Sequence, residues 1–262
     1  MKFKLFTTIF GWLIAFALFS QKDEFSAKNY VSPSGDTLLY RELQPQQIEQ
    51  GKKYPLVLFL HGAGERGNDN IAQLTHGAMM FTNPVNREQH PCYAIFPQCP
   101  ADLYWPTPRR PDGFSSGNPF PIDAPMSKPL ALTKELLDKL TNEYQIDQER
   151  IYIIGLSMGG MGTFDMVCRF PDYFAAAVPI CGGINTERLN NFSSKTAFRI
   201  FHGDADSVVP VRFSREAYLK LKAEGANVEY IEFPGVNHGS WDPAFNLPDF
   251  MQWLFKQKNN DK

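Results

Sequence analysis

Ser157 sits between glycines in Gly155-Leu156-Ser157-Met158-Gly159-Gly160, directly after the apolar run Ile151-Tyr152-Ile153-Ile154. A serine hydroxyl is a weak nucleophile until a neighbouring base takes its proton. The backbone that exposes such a serine is a sharp strand-to-helix turn, and glycines on both sides are what a tight, strained turn requires. The turn also sets the serine at a helix N-terminus, where backbone N–H groups point toward developing negative charge. A strand before and a helical pattern after argue against the plainer reading, a helix-capping serine followed by a packing glycine.

The base must come from five histidines. His61 and His202 each end an apolar run in a His-Gly pair, a place where histidine is commonly structural. His76 and His90 lie in polar stretches. His238, in Gly235-Val236-Asn237-His238-Gly239, follows the last strand pattern and precedes the last helical one. That puts it at the carboxyl edge of the sheet, where open α/β sheets place their sites. An acid must fix its tautomer. Two carboxylates compete in Phe201-His202-Gly203-Asp204-Ala205-Asp206-Ser207. Asp204 follows the strand end closely enough to cap the turn locally. Asp206 lies deeper in the loop, closer to a histidine on the next one, and is the favoured acid. The order Ser157, Asp206, His238 is one known arrangement of nucleophile, acid and base.

Acyl transfer also needs donors for a tetrahedral oxyanion. The N–H of Met158 is one by construction. The second is expected from His61-Gly62-Ala63-Gly64-Glu65-Arg66-Gly67, whose glycines allow close backbone approach; Ala63 is the first choice and Gly64 the next. The loop lacks the Gly-Lys-Ser/Thr of a phosphate-binding loop. No histidine pair has metal-ligand spacing and no His-Glu-x-x-His occurs, so neither a metal nor an organic cofactor is expected.

The elements that must position these groups are legible as apolar runs without alternation, the mark of strands buried on both faces. They cover residues 56–60, 93–96, 151–154, 175–180, 198–201 and 228–233, with an earlier strand at 37–42. Helical spacing covers 130–144, 158–170, 211–224 with Gly225 as its stop, and 248–256. Strand and helix in alternation predict an α/β class chain with a doubly wound, mostly parallel sheet in one domain. The connection 181–197 is too short for a lid domain.

Residues 100–129 differ, holding eight of the 20 prolines together with Tyr104, Trp105, Phe114 and Phe120. A long aperiodic stretch inside a domain is usually functional or disordered, and its aromatic content argues for function. It is read as an active-site loop. Trp105, Phe120 and Trp241, with Glu65, are the candidate substrate contacts; Trp105 and Trp241 read equally well as core anchors for long loops.

The segments Leu-His-Gly-Ala-Gly-Glu-Arg-Gly, Pro-Gln-Cys-Pro, Ile-Tyr-Ile-Ile-Gly-Leu-Ser-Met-Gly-Gly, Phe-His-Gly-Asp-Ala-Asp-Ser-Val-Val-Pro and Asn-His-Gly-Ser-Trp-Asp resemble the carboxylesterase and "predicted peptidase" branch of the α/β-hydrolases. That branch is related to phospholipase/carboxylesterases and dienelactone hydrolases, and the likeness runs from residue 56 to 255. It implies an α/β-hydrolase fold, ester hydrolysis through an acyl-enzyme on Ser157, and Asp206 and His238 as acid and base. Dienelactone hydrolases use a cysteine nucleophile, so their specific activity does not carry over to Ser157. The expected substrate is a short-chain carboxylic ester, a small molecule or an acetylated or feruloylated saccharide. A serine peptidase and a non-catalytic binding protein on the same scaffold are the alternatives.

Composition narrows the setting. The chain has 262 residues, 43% apolar and 21% charged, with a net charge of -2 and no long single-sign run, which leaves no footprint for nucleic acid. Lys2 and Lys4 precede an uncharged stretch from residue 5 to 19, with small residues at Ala15, Ala17 and Ser20: the layout of a secretory signal peptide over residues 1–20, ahead of a hydrolase domain at 21–262. A secreted or periplasmic protein without stable membrane insertion follows. Cys92, Cys99, Cys168 and Cys181 match no zinc pattern and are read as free thiols.

Overall fold

In the computed structural model, residues 24–107, 114, 119–192 and 195–259 are described. The expected signal peptide, residues 1–20, lies outside them, as does part of the proline-rich stretch. Eight strands form one sheet: β1 (Ser26–Val31), β2 (Thr37–Leu43), β3 (Tyr54–Leu60), β4 (Tyr93–Pro97), β5 (Ile146–Leu156), β6 (Ala176–Ile180), β7 (Ala197–Gly203) and β8 (Val228–Phe233). Their order is β1-β2-β4-β3-β5-β6-β7-β8. β1 and β2 pair antiparallel with each other, and β2 with β4; every pairing from β4 to β8 is parallel. This is the mostly parallel α/β-hydrolase sheet that the sequence implied. β1 was not anticipated, because five of its six residues are exposed and it carries no apolar run.

The buried strands divide their side chains between two faces, as period-two geometry demands. Leu56, Leu58, Leu60, Ile151, Ile153, Phe198 and Ile200 enter one core. Val57, Phe59, Tyr152, Ile154, Val178 and Phe201 enter the other. Among the described residues the helices are α1 (Ala78–Thr82), α2 (Pro84–Gln89), α3 (Lys128–Glu143), α4 (Met158–Arg169), α5 (Arg212–Ala223), α6 (Trp241–Phe245) and α7 (Phe250–Lys256). Helices α3, α4 and α5 cover the first face; α1, α6 and α7 cover the second. α3 starts where Ser127 caps it, its side chain accepting from Leu130 N–H, with proline in the first turn. Among the described residues, the connection 181–196 between β6 and β7 holds one short 3-10 turn (Thr186–Asn191) and no α-helix.

Strand order fixes where a site can form. From β3 the chain moves to β4 on one side, and from β5 to β6 on the other. The carboxyl ends of β3 and β5 therefore flank the point where the winding reverses, the crevice in which α/β sheets bind ligands. Leu60 pairs with Gly155 and Leu156 with Ile180, so these strand ends are level.

Two buried side chains hold the loop that leaves β3. His61 Nδ1–H donates to Gly62 O at 2.6 Å, and its Nε2 accepts the N–H of Cys99 at 3.0 Å, tying the loop to the end of β4. Trp105 Nε1–H donates to His61 O at 3.1 Å. Trp105 is wholly buried, and a side chain on Gly162 would meet its Cβ at 2.9 Å. The expectation that Trp105 walls the substrate site is thereby corrected: it anchors the proline-rich segment under the β3 loop, with the indole N–H spent on a backbone carbonyl.

Replacing Trp105 by Ala is expected to destabilise the fold by about 3–5 kcal/mol through the cavity it leaves. Turnover of small and bulky esters should fall by the same factor. Urea unfolding and paired kinetics check this, and a selective loss on the bulky ester would restore the wall reading. His61 gives a second test. Burial, its main perturbation, pushes its pKa down from 6.5 to about 4. The unfolded chain therefore binds a proton that the folded chain refuses between those values. His61's contribution is complete above pH 6.5 and is lost as pH falls toward 4, about 3 kcal/mol in all. Urea midpoints of wild type and His61→Asn should diverge least at pH 4 and most at pH 7; parallel curves would refute this linkage.

Candidate active site

The turn after β5 carries the strain that the glycine pattern announced. Ser157 has φ +53° and ψ -115°, a region that L-residues rarely adopt. A Cβ on Gly155 would lie 2.1 Å from Gly159 O, and one on Gly159 would lie 1.9 Å from Leu60 O. Without side chains at these positions, α4 begins against the carboxyl end of β3. Ser157 N–H is satisfied by Ile180 O at 2.8 Å. Met158 is the first residue of α4, so its N–H has no acceptor within the helix. Ala63 opens a 3-10 turn, Ala63–Glu65, and its N–H is equally without an acceptor in that turn. Arg66 fixes the turn, its Nε donating to Ala63 O at 2.9 Å.

The three residues singled out for chemistry converge from three loops. Ser157 Oγ lies 2.9 Å from His238 Nε2, and His238 Nδ1 lies 2.8 Å from Asp206 Oδ2. A carboxylate only accepts, so Nδ1 carries the imidazole proton and Nε2 is free to accept the serine hydroxyl. The Asp206 side chain is fully buried and that of His238 is 19% exposed. Burial alone would raise the Asp206 carboxyl. Hydrogen bonds from His202, His238 and the N–H groups of Val209 and Val208 outweigh it, and hold the group far below the ordinary carboxylate range. Asp204 points elsewhere: it is exposed, and its Oδ1 accepts Gly235 N–H at 2.6 Å, a local turn contact.

One partner escaped the sequence reading. Asn237 Oδ1 accepts from Ser207 N–H at 2.9 Å, Ser207 Oγ at 3.0 Å and His238 N–H at 2.8 Å. It clips the loop of Asp206 to the loop of His238, and its place beside the histidine was the only hint. His202, wholly buried at the end of β7, reaches Asp206 as well. Cys181, Asp206 and His238 offer potential metal-ligand atoms within 4.8 Å of one another. The chemistry of that set is unfavourable to an ion: burial pushes the Cys181 thiol up to about 12, and the other two are hydrogen-bonded together. All four cysteines are free, Cys92, Cys99 and Cys181 buried and Cys168 half-buried.

A cavity of about 320 Å³ opens over Ser157 and His238, with Ala63, Leu156, Tyr104, Phe114, Val208 and Trp241 among its apolar lining and Glu65 and His76 as polar groups. Of the expected substrate contacts, Glu65 and Trp241 are on this lining. The Trp241 ring lies 5.5 Å from His238, edge to face, and 5.1 Å from His76. Glu65 Oε1 is 3.8 Å from His76 Nε2. Phe120 is corrected: it is buried behind Phe114, at 6.1 Å, and against Phe213, at 5.3 Å, so Phe114 takes the place on the wall.

Residues 46–252 match the family model described as Phospholipase/Carboxylesterase. A poly(3-hydroxyalkanoate) depolymerase C from Paucimonas lemoignei is 31% identical over 134 residues, 49% of this chain and 28% of the depolymerase. A bifunctional acetylxylan esterase/xylanase from Neocallimastix patriciarum is 31% identical over 86 residues, 33% of this chain and 12% of that protein. The chain thus spans less than a third of either relative. Among solved structures, a thermostable esterase superposes with a TM-score of 0.81 at 40% identity, covering 90% of this chain and 64% of the other. A ferulic acid esterase from Anaeromyces mucronatus, bound to ferulic acid, shares the fold at a TM-score of 0.63 and 17% identity, over 88% of this chain and 91% of that one. With the sheet order, the strained serine turn and a match over residues 46–252, the chain belongs to the phospholipase/carboxylesterase family of α/β-hydrolases.

Proposed function

We propose that the chain is an exported serine esterase that hydrolyses short-chain carboxylic esters through an acyl-enzyme on Ser157. The observation that carries this reading is the continuous hydrogen-bonded line from Ser157 Oγ through His238 to Asp206, 2.9 and 2.8 Å long, beside two backbone N–H groups with no acceptor in their own helical turns.

The chemistry follows from that line. Ser157 Oγ attacks the ester carbonyl carbon while His238 Nε2 takes its proton. Asp206 stabilises the imidazolium and keeps its orientation. The carbonyl oxygen becomes an oxyanion held by the N–H groups of Ala63 and Met158. When the tetrahedral species collapses, His238 returns the proton to the departing alcohol. A water, deprotonated by the same nitrogen, then releases the acid and regenerates the serine.

The acyl group should be short or feruloyl, and the alcohol aromatic or saccharide. Trp241, Tyr104 and Phe114 offer ring faces suited to stacking, and Glu65 and His76 offer hydrogen-bonding groups to hydroxyls. The names of the acetylxylan and ferulic acid esterases lie in the same direction. Export rests on the layout of residues 1–20 and on a similar protein from Arthroderma benhamiae named as secreted, 25% identical over 134 residues. No helix of the described residues is long and apolar enough to cross a membrane.

Ser157→Ala, His238→Ala and Asp206→Asn are each expected to lower kcat on an aryl acetate by about 10⁴-fold while the fold persists. Asp204→Asn should lose less than about tenfold, since a local turn contact is all it surrenders. Kinetics with circular dichroism checks this; a greater loss at Asp204 would reassign the acid. On aryl esters of rising acyl length, kcat/KM should fall from acetate and butyrate onward, and Trp241→Ala should depress a feruloylated or acetylated saccharide more than the aryl acetate. Preference for long acyl chains, or equal loss on both substrates, would defeat the substrate assignment.

A further inference from the structure

His202 is placed to do more than end a strand. It lies on β7 at zero exposure, and its Nε2 is 2.9 Å from Val209 O and 3.2 Å from Asp206 Oδ2. A carbonyl oxygen only accepts, so Nε2 carries the proton and points it between the carbonyl and the carboxylate. The other nitrogen, Nδ1, is 2.7 Å from Ser214 Oγ on α5, itself wholly buried. Both ring nitrogens are therefore engaged, Nε2 with Val209 and Nδ1 with Ser214.

Asp206 Oδ2 therefore receives two imidazole N–H groups, from His238 on one side and His202 on the other. Oδ1 receives the backbone N–H groups of Val208 and Val209 at 2.8 and 2.9 Å. A carboxylate with four donors in a buried setting cannot rotate without leaving at least one of them unpaired, at a penalty that burial enlarges. Removing His202 would free Oδ2 to turn and leave the Val209 carbonyl short of a donor.

We propose that His202, oriented by Ser214, is a positioning residue for ester hydrolysis: it holds the Asp206 carboxylate in the one orientation that aligns His238 with Ser157. The inference rests on the triad reading above and extends it to a line running from Ser214 through His202, Asp206 and His238 to Ser157. His202 touches neither substrate nor any reacting atom, so its effect should appear in kcat and not in KM.

The test compares His202→Leu, His202→Gln and Ser214→Ala with wild type on an aryl acetate, with Ser157→Ala and Asp206→Asn as references. His202→Leu should lose about 10²-fold in kcat with KM unchanged, and His202→Gln, whose amide N–H reaches the same place, should return to within about tenfold of wild type. In the Asp206→Asn background, adding His202→Leu should change kcat by less than about twofold, because both act through one carboxylate. Wild-type kcat in a folded His202→Leu enzyme, or full additivity with Asp206→Asn, would overturn the inference while an inactive Ser157→Ala left the triad standing. Activity surviving in Ser157→Ala would remove the triad reading itself. Should the leucine variant not fold, Ser214→Ala decides: a loss of about 5–10-fold in kcat at constant KM supports the role, and wild-type kcat refutes it.

Discussion

Everything at this site depends on the backbone of Gly159 lying against the backbone of Leu60. A Cβ at that glycine would sit 1.9 Å from the Leu60 carbonyl oxygen. Because none is there, α4 starts where β3 ends, and two short loops that are remote in sequence share one cavity. Ala63 from the one loop and Ser157 from the other line that cavity together. The φ of +53° at Ser157 is the local cost of the sharp turn, of the order of 1–3 kcal/mol. Strands β3 and β5, buried on both faces, offset it easily, since each large apolar side chain removed from water contributes about 1.5–3 kcal/mol.

The two histidines that close strands in a His-Gly pair solve the same problem in two places. His61 ends β3 and ties the loop bearing Ala63 to the end of β4. His202 ends β7 and ties the loop bearing Asp206 to Val209 and α5. In each case an imidazole with both ring nitrogens engaged bridges groups that a carbonyl or an amide alone could not join. Polar groups buried this way must be fully paired, so these rings specify loop position as well as filling space. Functional loops set on a rigid sheet end need such ties.

Charge is distributed with the same economy. The buried Asp206 stays ionised because four donors surround it, which gives the imidazole beside it a fixed negative partner. Glu65 and His76 sit instead at the wall of the cavity, where they can meet a ligand. Trp241 stands between His76 and His238 and so links the far cavity wall to His238.

The sequence by itself determined the sheet, the winding and the loops from which Ser157, Asp206 and His238 meet. Unbroken apolar runs have one stable place, a sheet covered on both sides, and glycines around a serine have few uses other than a strained turn. It could not reveal β1, whose exposed residues carry no pattern, nor the short helices α1, α2 and α6, too brief for a period to show. Only the tertiary structure decided between Asp204 and Asp206 as the neighbour of His238, since two carboxylates two residues apart differ in direction and not in type. Only it could separate Trp105, buried beneath a loop, from Trp241, set on the cavity wall. Aromatic side chains serve both places equally well, and what distinguishes them is which backbone carbonyl, or which open space, the fold brings alongside.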